Sequence, residues 1–484
     1  MIGICSYSGY IPRYRLNRGL IFGAMGWMNP ATIALARGEK SVANFDEDSI
    51  TLGVAAGNLA LQNVDRDTVN SVYFASTTLP YKERLNAGIM VPALGLKDQV
   101  RAADFTGSLK AATSALIAAL EGVKEGSTAK TLVTAADCRL GKPGSPQEML
   151  FGDASAAVVV GSENVIAAYK GSFSVTYDFG DHYRGANSKF DDQWEDRWIR
   201  DLGMDQFIPE AINGLLEKTG LQIGDFAKVI YPCIYAPARR SIAKKLGMAL
   251  EKDQDNLQGV VGETGTPHPL VMLAAALEDA KPGDKLMVVS FGSGCDAICF
   301  EVTDGITNSV NGSISATLAA KADLDNYNKM LIWREIMPGD FGKRKEVDNW
   351  TRHSANWRNR KTVLALEGGK CSKCGTAQYP AMDICVNPDC EAVGTQEPYA
   401  FAHLNGHILS FTADNLAASV DPPAMYGQVE FEGGGKFLFD FTDCKMDELK
   451  TEMAVTMSFR RKYFDAKRDV SGYFWKAVPV KEDK

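Results

Sequence analysis

The sequence lacks the features that would place it in a membrane. No apolar run approaches the roughly 20 residues that cross a bilayer as a helix, and the N-terminal stretch MIGICSYSGYIPRYRL lacks the apolar core of a signal peptide. The sequence also lacks an excess of positive charge: the formal net charge is −8, which does not favour nucleic acid or an anionic membrane as a partner. Ten cysteines in 484 residues do not suggest a disulfide scaffold. We therefore expect a cytoplasmic protein without a membrane anchor.

The sequence does contain a duplicated pattern of strands and helices. The first copy runs from VYFAST through the strand and turn ADFTGS and the helix KAATSALIAAL to the strand TLVTAADCR. The second runs from VIYPCIYAP through GVVGETGTPHP, also interpreted as strand and turn, and the helix LVMLAAALEDA to LMVVSFGSGCD. FGDASAAVVVGS and CDAICFEVTD close the two copies as apolar strands. The pattern predicts a layered α/β domain with pseudo-twofold symmetry, in which helices lie between two sheets.

Four of the cysteines fall close together after this duplicated part. Cys371 and Cys374 are separated by two residues and Cys385 and Cys390 by four, and each pair lies in a turn with Gly, Pro or Asn. Four thiolates on two turns can close a tetrahedron around Zn²⁺ and leave no open position. The spacing therefore predicts a zinc ribbon at 363–396 whose Zn²⁺ is structural.

Short β-rich runs separated by turns follow the cysteines. Their spacing predicts a small five-stranded barrel of the oligonucleotide-binding type (OB-fold) at 397–484, and the charged, Trp-containing stretch 316–362 predicts a helical connector. Such barrels often bind single-stranded nucleic acid, and a modest basic cluster supports that alternative: Arg460, Arg461, Lys462, Lys467 and Arg468. The same region also carries many carboxylates, however. Nucleic acid is therefore the weaker interpretation.

Several motifs in the duplicated part resemble those of the thiolase superfamily. They are GEKSVANFDEDSITL, the small-residue helix after Asp104, FGDASAAVVVG and VVSFGSG. The nearest branch is that of hydroxymethylglutaryl-CoA synthase and ketoacyl-ACP synthase III. The resemblance covers about 1–315 and implies a thiolase-like N-terminal half at 1–168 and a C-terminal half at 169–315. The ribbon and barrel resemble an accessory domain of thiolase-like enzymes, which implies a coenzyme A thioester as substrate.

The catalytic groups that this resemblance implies are missing from their positions. The branch carries a nucleophilic Cys before Lys-Ala-Gly-Thr, where this chain has Leu109, or Ser108 if the alignment shifts by one residue. Pro232 takes the place of the family's His, and Thr77 lies in the region where the synthases place a catalytic Glu. Covalent chemistry on a Cys at this position is therefore not expected.

Other polar residues remain near the expected cleft. Glu263 and His268 lie within six residues at the start of the second central helix and are a candidate acid/base pair; a packing role for His268 is the open alternative. Cys295 follows a Gly-Ser-Gly turn and is either catalytic or an ordinary buried cysteine. The helix N-termini at 107–110 and 264–268 are expected to polarise a thioester carbonyl.

We therefore expect an enzyme that forms or cleaves a carbon–carbon bond in an acyl-CoA by aldol or retro-aldol chemistry, without a Cys nucleophile. The alternative is a non-catalytic scaffold subunit that channels acyl-CoA to a partner thiolase. The fold further implies a homodimer formed through an edge strand of the first half.

Overall fold

A computed structural model describes residues 1–308, 314–343 and 350–480, without the side chain of residue 308. The chain separates into one compact unit that comprises Met1–Ala43, Asp48–Met90 and Asp98–Tyr327, and another that comprises Asn44–Glu47, Val91–Lys97 and Asn328–Lys484. The domain boundaries proposed from the sequence remain predictions. Parts of the predicted connector and barrel, 344–349 and 481–484, lie outside the described residues. No helix in the described ranges is long and apolar enough to span a membrane.

The secondary structure alternates strands and helices up to about residue 302 and is mostly strands after residue 367. The strands are β1 (Gly3–Tyr10), β2 (Tyr14–Asn17), β3 (Glu39–Val42), β4 (Ser71–Ala75), β5 (Arg101–Phe105), β6 (Thr131–Asp137), β7 (Ala154–Gly161), β8 (Ala167–Thr176), β9 (His182–Tyr183), β10 (Asp192–Gln193), β11 (Lys228–Ile230), β12 (Lys285–Phe291), β13 (Gly294–Val302), β14 (Ala322–Asp323), β15 (Glu367–Cys371), β16 (Ala377–Gln378), β17 (Gln396–Ala400), β18 (Gly406–Asp414), β19 (Ala424–Phe431), β20 (Lys436–Asp440), β21 (Ala454–Asp465) and β22 (Val470–Pro479). The α-helices are α1 (Arg18–Met25), α2 (Ser49–Ala60), α3 (Ala87–Ala93), α4 (Ala111–Lys124), α5 (Pro146–Leu150), α6 (Asp196–Trp198), α7 (Ile208–Thr219), α8 (Ala236–Leu246), α9 (His268–Glu278), α10 (Ile314–Ala319), α11 (Tyr327–Trp333), α12 (His353–Arg358) and α13 (Arg360–Leu364). A π-helix spans Ile199–Phe207, and 3₁₀ helices span Pro30–Leu35, Arg66–Thr68, Ile223–Asp225, Leu250–Lys252, Asp304–Asn308 and Met446–Glu448.

A large sheet forms the centre of the first unit. Among the described strands its order is β11-β12-β13-β8-β1-β7-β6-β4-β5. Its two halves are joined where β1 meets β8, at the pairs Gly3–Ala168 and Ile4–Ala167, so hydrogen bonds connect the two predicted sheets into one. Helices α4 and α9 contact each other and strands of both halves. The layered α/β arrangement with helices between the halves is therefore confirmed.

The sequence explains why this centre is densely packed. β7 reads ASAAVVVG and is buried along its whole length between β1 and β6, as expected for a strand covered on both faces. α4 buries Ala111, Ala112 and Ala115 on its core side, and these small side chains let neighbouring elements approach closely. Gly107 adopts a φ of +89° in the turn before α4, a left-handed conformation that glycine reaches without steric cost.

The second copy departs from the first at one strand. The stretch GVVGETGTPHP is expected to hold a counterpart of β5, but residues 258–261 form a turn. Their carbonyl groups are used by β3 instead: the N–H of Glu39 donates to Gly259 at 3.0 Å, and that of Ser41 donates to Val261 at 2.8 Å. The glycines of this stretch favour a turn over a strand interior. The predicted strand is therefore wrong, and β11 lies at this edge of the large sheet.

The second unit contains two sheets that correspond to the predicted ribbon and barrel. Within its described residues, one sheet has the order β16-β15-β17 and carries Cys371 at the end of β15. The other is antiparallel with the order β20-β19-β18-β21-β22. A bridge between Phe441, just after β20, and Ala477 of β22 links its two end strands. These elements fit a zinc ribbon followed by a small β domain, whereas the OB-fold remains a prediction.

Candidate active site and metal centre

A cavity lies in the first unit where elements of the two copies meet. The space between its lining residues, which is open to solvent on one side, is about 620 Å³. Leu109 lines it from the turn between β5 and α4, Pro232 from the loop after β11, and Glu263 from the segment before α9. The structure thus brings together three residues that the sequence analysis selected from distant parts of the chain.

Leu109 lies on the cavity wall where the family resemblance implies a nucleophile. The preceding turn is held by Ser108, whose hydroxyl donates to the carbonyl of Gly292 at 2.6 Å. On the other side, the Lys110 ammonium pairs with Asp296 at 3.0 Å. Ser108 does not line the described cavity, and its hydroxyl hydrogen is directed to a backbone carbonyl rather than to a base. The turn therefore presents an aliphatic side chain to the cavity.

A buried ionic centre forms part of the wall. Arg139 follows β6, donates from Nε to Asp191 at 2.7 Å and from Nη1 to Glu263, and lies 3.8 Å above the ring centroid of Phe151. Burial opposes the charge on Arg139, but the carboxylates of Glu263 and Asp191 outweigh it and raise its pKa above the ordinary value. Glu263 also accepts from the N–H of Gly265 at 2.8 Å. Its carboxylate is therefore held in one position at the cavity.

His268 lies outside the described cavity wall. Its ring is buried, Nδ1 accepts from the Thr264 N–H at 2.9 Å, and Nε2 donates to the Asn256 carbonyl at 2.9 Å. These bonds select one neutral tautomer, and burial lowers the pKa of His268. Because backbone groups occupy both ring nitrogens, this geometry suits the packing alternative better than the acid/base alternative.

The start of α9 uses its N–H groups internally. The N–H groups of Thr264, Gly265 and Thr266 donate to His268, Glu263 and Asp137, respectively, at 2.9, 2.8 and 2.8 Å. An oxyanion needs N–H groups that are directed at it and not otherwise engaged. The residues 264–266 therefore do not supply the polarising donors expected of this helix start.

Thr77 and Cys295 also lie outside the described wall. Thr77 donates to the Asp137 carboxylate through its N–H at 2.7 Å and its hydroxyl at 2.9 Å, so these two donors are engaged outside the described cavity. Cys295 is fully buried in β13, and burial raises its pKa well above the usual value. A thiol in that environment suits the ordinary buried cysteine better than a nucleophile.

A carboxylate–imidazole pair that was not predicted from the sequence also lies on the wall. Asp181 and His182 both line the cavity, and His182 Nδ1 lies 3.1 Å from Asp181 Oδ2. The N–H of Ser293 donates to the other oxygen of Asp181 at 3.3 Å, and the backbone of His182 pairs with Gln193 of β10. A carboxylate that orients an imidazole is suited to proton transfer. In the sequence, only the adjacency of Asp181 and His182 pointed to such a pair. No motif around them indicated that they line a cavity.

The four predicted cysteine ligands converge in the second unit. The sulfur atoms of Cys371, Cys374, Cys385 and Cys390 all lie within 4.8 Å of one another. Two of these distances are 3.5 Å, between Cys374 and Cys385, and 4.0 Å, between Cys371 and Cys390. Tetrahedral Zn–S bonds of about 2.3 Å imply sulfur–sulfur separations of about 3.8 Å. The cluster could therefore hold a metal ion, and its donors and spacing fit Zn²⁺.

The basic cluster of the second unit is largely neutralised. Arg460 is buried, and its guanidinium pairs with the carboxylates of Asp46, Glu47 and Asp443. Three further members are paired as follows: Arg461 with Glu335, Lys462 with Asp440 and Arg468 with Asp465. Binding of a phosphate backbone depends on accessible positive charge. The pairing of these basic side chains therefore makes nucleic acid a weaker candidate for a binding partner.

Together, the large sheet, the two central helices and the cavity at their ends define a thiolase-like fold. The structure is similar to that of a hydroxymethylglutaryl-CoA synthase complexed with CoA, at a TM-score of 0.61 and 18% identity over 72% of this chain and 95% of the other. It is also similar to 3-oxoacyl-[acyl-carrier-protein] synthase III from Aquifex aeolicus VF5, at a TM-score of 0.56 and 20% identity over 62% of this chain and 100% of the other. No family model matches the chain.

Sequence relatives narrow this class to one family. The chain is 33% identical over 310 residues to the hydroxymethylglutaryl-CoA synthase of Aeropyrum pernix, a match that covers 63% of this chain and 86% of the relative. The chain belongs to the hydroxymethylglutaryl-CoA synthase family. The resemblance first seen in a few motifs is thereby confirmed.

Proposed function

We propose that this chain forms or cleaves a carbon–carbon bond in an acyl-CoA thioester without a covalent acyl-enzyme. Its relatives are named hydroxymethylglutaryl-CoA synthase, and a solved structure of that name contains CoA. The cavity wall supports the mechanism, because Leu109, which the family resemblance aligns with the nucleophile, lines the same cavity as Glu263 and His182. Cys233 also lines it, but burial raises the pKa of its thiol to about 11, so the thiol is protonated at neutral pH.

The proposed cleavage is a retro-aldol step. A base takes the proton of the substrate's β-hydroxyl group, the bond between the α and β carbons breaks, and its electron pair passes to the thioester as an enolate. Return of a proton to the α carbon gives a shorter acyl-CoA and an aldehyde or ketone. We propose Glu263 or His182 as the base because both line the cavity, whereas backbone groups enclose His268.

Turnover by the purified full chain tests this proposal. The chain is incubated with β-hydroxyacyl- and β-ketoacyl-CoAs, release of acetyl-CoA or of a free carbonyl compound is measured, and intact-mass spectrometry follows the protein. We expect cleavage of a β-hydroxyacyl-CoA without an added acyl mass. Cleavage that proceeds through an acylated protein contradicts the mechanism, and no turnover of either class contradicts the function.

The position of Leu109 also favours a second candidate, a scaffold subunit that passes acyl-CoA to a partner thiolase. A chain that is inactive alone but co-purifies with a Cys-containing thiolase would support this candidate.

For both candidate functions we propose a cytoplasmic homodimer. β5 is an edge strand of the large sheet and its residues are exposed or half-buried, so it could pair with β5 of a second copy. A monomer by light scattering at micromolar concentration contradicts the dimer.

We further propose that the cysteine cluster binds one structural Zn²⁺ ion. Four thiolates complete a tetrahedron, so no position remains for a substrate or water. Metal analysis of the full chain should give about one zinc per chain, and Cys371→Ser should lose most of it and unfold more readily. Cys5→Ser, which lies far from the cluster in sequence, is the control and should retain the metal. Full zinc content and unchanged stability in Cys371→Ser would contradict the proposal.

A further inference from the structure

The cavity of the first unit has a largely apolar wall. Its apolar side chains come from both copies of the duplicated pattern and from the π-helix: Leu109, Phe151, Ile199, Met204, Ile234 and Phe291. A substrate group placed against them is removed from water, which favours an apolar group over a polar one.

The permanent positive charge at this wall is already paired. Among the described lining residues, Arg139 alone carries a guanidinium or ammonium group, and Glu263 and Asp191 bind it from two sides. Arg184 extends the same network and pairs with Asp191 at 3.1 Å. A guanidinium held by two carboxylates has little attraction left for a third.

The remaining titratable pair does not change this balance. Asp181 adds a carboxylate to the wall, and His182 faces it at 3.1 Å. The imidazole of His182 therefore faces a carboxylate of the same wall and adds no excess positive charge. On the described wall, the carboxylates are at least as numerous as the positively charged groups. A carboxylate on the substrate would therefore find no unpaired positive charge there.

We infer that the cavity selects CoA thioesters whose acyl group is uncharged and, apart from its β-hydroxyl group, apolar, and that it rejects acyl groups that end in a free carboxylate. A buried carboxylate without a free cation is strongly unfavourable, whereas an apolar group of the same shape meets no such penalty. This inference rests on the proposed function, because it assumes that a CoA thioester occupies the cavity.

A matched pair of ligands tests the inference. In 4-methylpentanoyl-CoA an isopropyl group takes the place of the carboxylate of succinyl-CoA, and the heavy-atom skeletons are the same. Calorimetry on the full chain, with free CoA as the baseline, should give a Kd at least ~10-fold lower for 4-methylpentanoyl-CoA. Equal or tighter binding of succinyl-CoA overturns the inference and leaves the proposed function intact. If neither thioester binds better than free CoA, both are overturned.

Asp191→Asn tests the cause of the selection. The substitution removes one carboxylate from Arg139 with little change of shape and without altering a residue of the cavity wall, so affinity for succinyl-CoA should rise roughly 5-fold, while that for 4-methylpentanoyl-CoA should stay within about 2-fold. Glu217→Gln, an exposed residue on α7, is the matched control and should change neither value. Ile234→Lys adds a cation to the wall and provides a second test if Asp191→Asn does not fold. An unchanged preference in the folded variants overturns the inference.

Discussion

The two central helices begin differently, although they hold equivalent places in the duplicated pattern. Before α4, the turn directs Leu109 to the cavity and uses Ser108 to hold the backbone of Gly292. Before α9, a network of hydrogen bonds encloses His268 and fixes Glu263. One helix start therefore offers an apolar surface, and the other offers polar groups that are mostly engaged with the chain itself.

This difference shows that a position at a helix start does not by itself make a titratable side chain accessible to a substrate. His268 lies close to the cavity in sequence, since Gly265 and Pro269 line it, yet its own ring is enclosed. His182 lies far from both central helices in sequence, yet its ring reaches the wall beside Asp181. The comparison predicts that His268 matters for stability and His182 for turnover.

His268→Ala should give the largest effect and would break the comparison most directly. Removing the ring leaves the buried Thr264 N–H and Asn256 carbonyl without their partners and creates a cavity, so the free energy of unfolding should fall by about 3 kcal/mol. Urea unfolding followed by circular dichroism measures this change. A stable variant that loses turnover about 100-fold would instead establish His268 as the base.

His182→Ala should separate catalysis from stability. Turnover should fall on the order of 100-fold if His182 transfers the proton. The free energy of unfolding should fall by only about 1 kcal/mol, because the partly exposed ring gives up one hydrogen bond, to Asp181. His182→Gln, which keeps a polar group of similar size without an acid/base function, should be equally slow. Full activity in both variants would contradict the role and leave Glu263 as the candidate base.

Much of the architecture could be predicted because it depends on local patterns. The continuous apolar run of β7 and the alanine-rich α4 can be recognised directly in the sequence. The spacing of the two cysteine pairs likewise predicts that their four sulfur atoms converge. The predicted counterpart of β5 failed because residues 258–261 satisfy their carbonyl groups through β3, more than two hundred residues earlier. A propensity argument cannot detect such a long-range partner.

The site was less predictable than the fold for the same physical reason. Leu109, Pro232 and Glu263 could be placed because each stands in a motif at the end of a predicted element. Arg139 and His182 become visible only when the folded chain brings them to Glu263 and the cavity. The enclosure of His268 likewise depends on the carbonyl of Asn256, which no motif marks.

The pH dependence of stability sharpens the comparison further. Burial lowers the pKa of His268 below the value of 6.5 expected in the unfolded chain, so on acidification the unfolded state binds a proton before the folded state does. The stabilisation by His268 is therefore complete above about pH 6.5 and is lost progressively below it. The difference in unfolding free energy between the natural chain and His268→Ala should shrink between about pH 8 and pH 5.5. A constant difference would show that the ring is not buried in its neutral form.

Leu109→Cys tests the start of α4 and should have the smallest effect of these substitutions. A thiol before α4 gains from the partial positive charge of the helix N-terminus, but Asp296 already pairs with Lys110 beside it, and the family resemblance implies that Pro232 takes the place of a His. We therefore expect slow acylation of a minor fraction of the protein, detected by intact-mass spectrometry with an acyl-CoA. Leu109→Met is the control, and like the natural chain it should gain no acyl mass. A stable acyl adduct on Ser108 or Cys295 of the natural chain would overturn the mechanism, because it would show that thioester transfer still proceeds through a covalent intermediate.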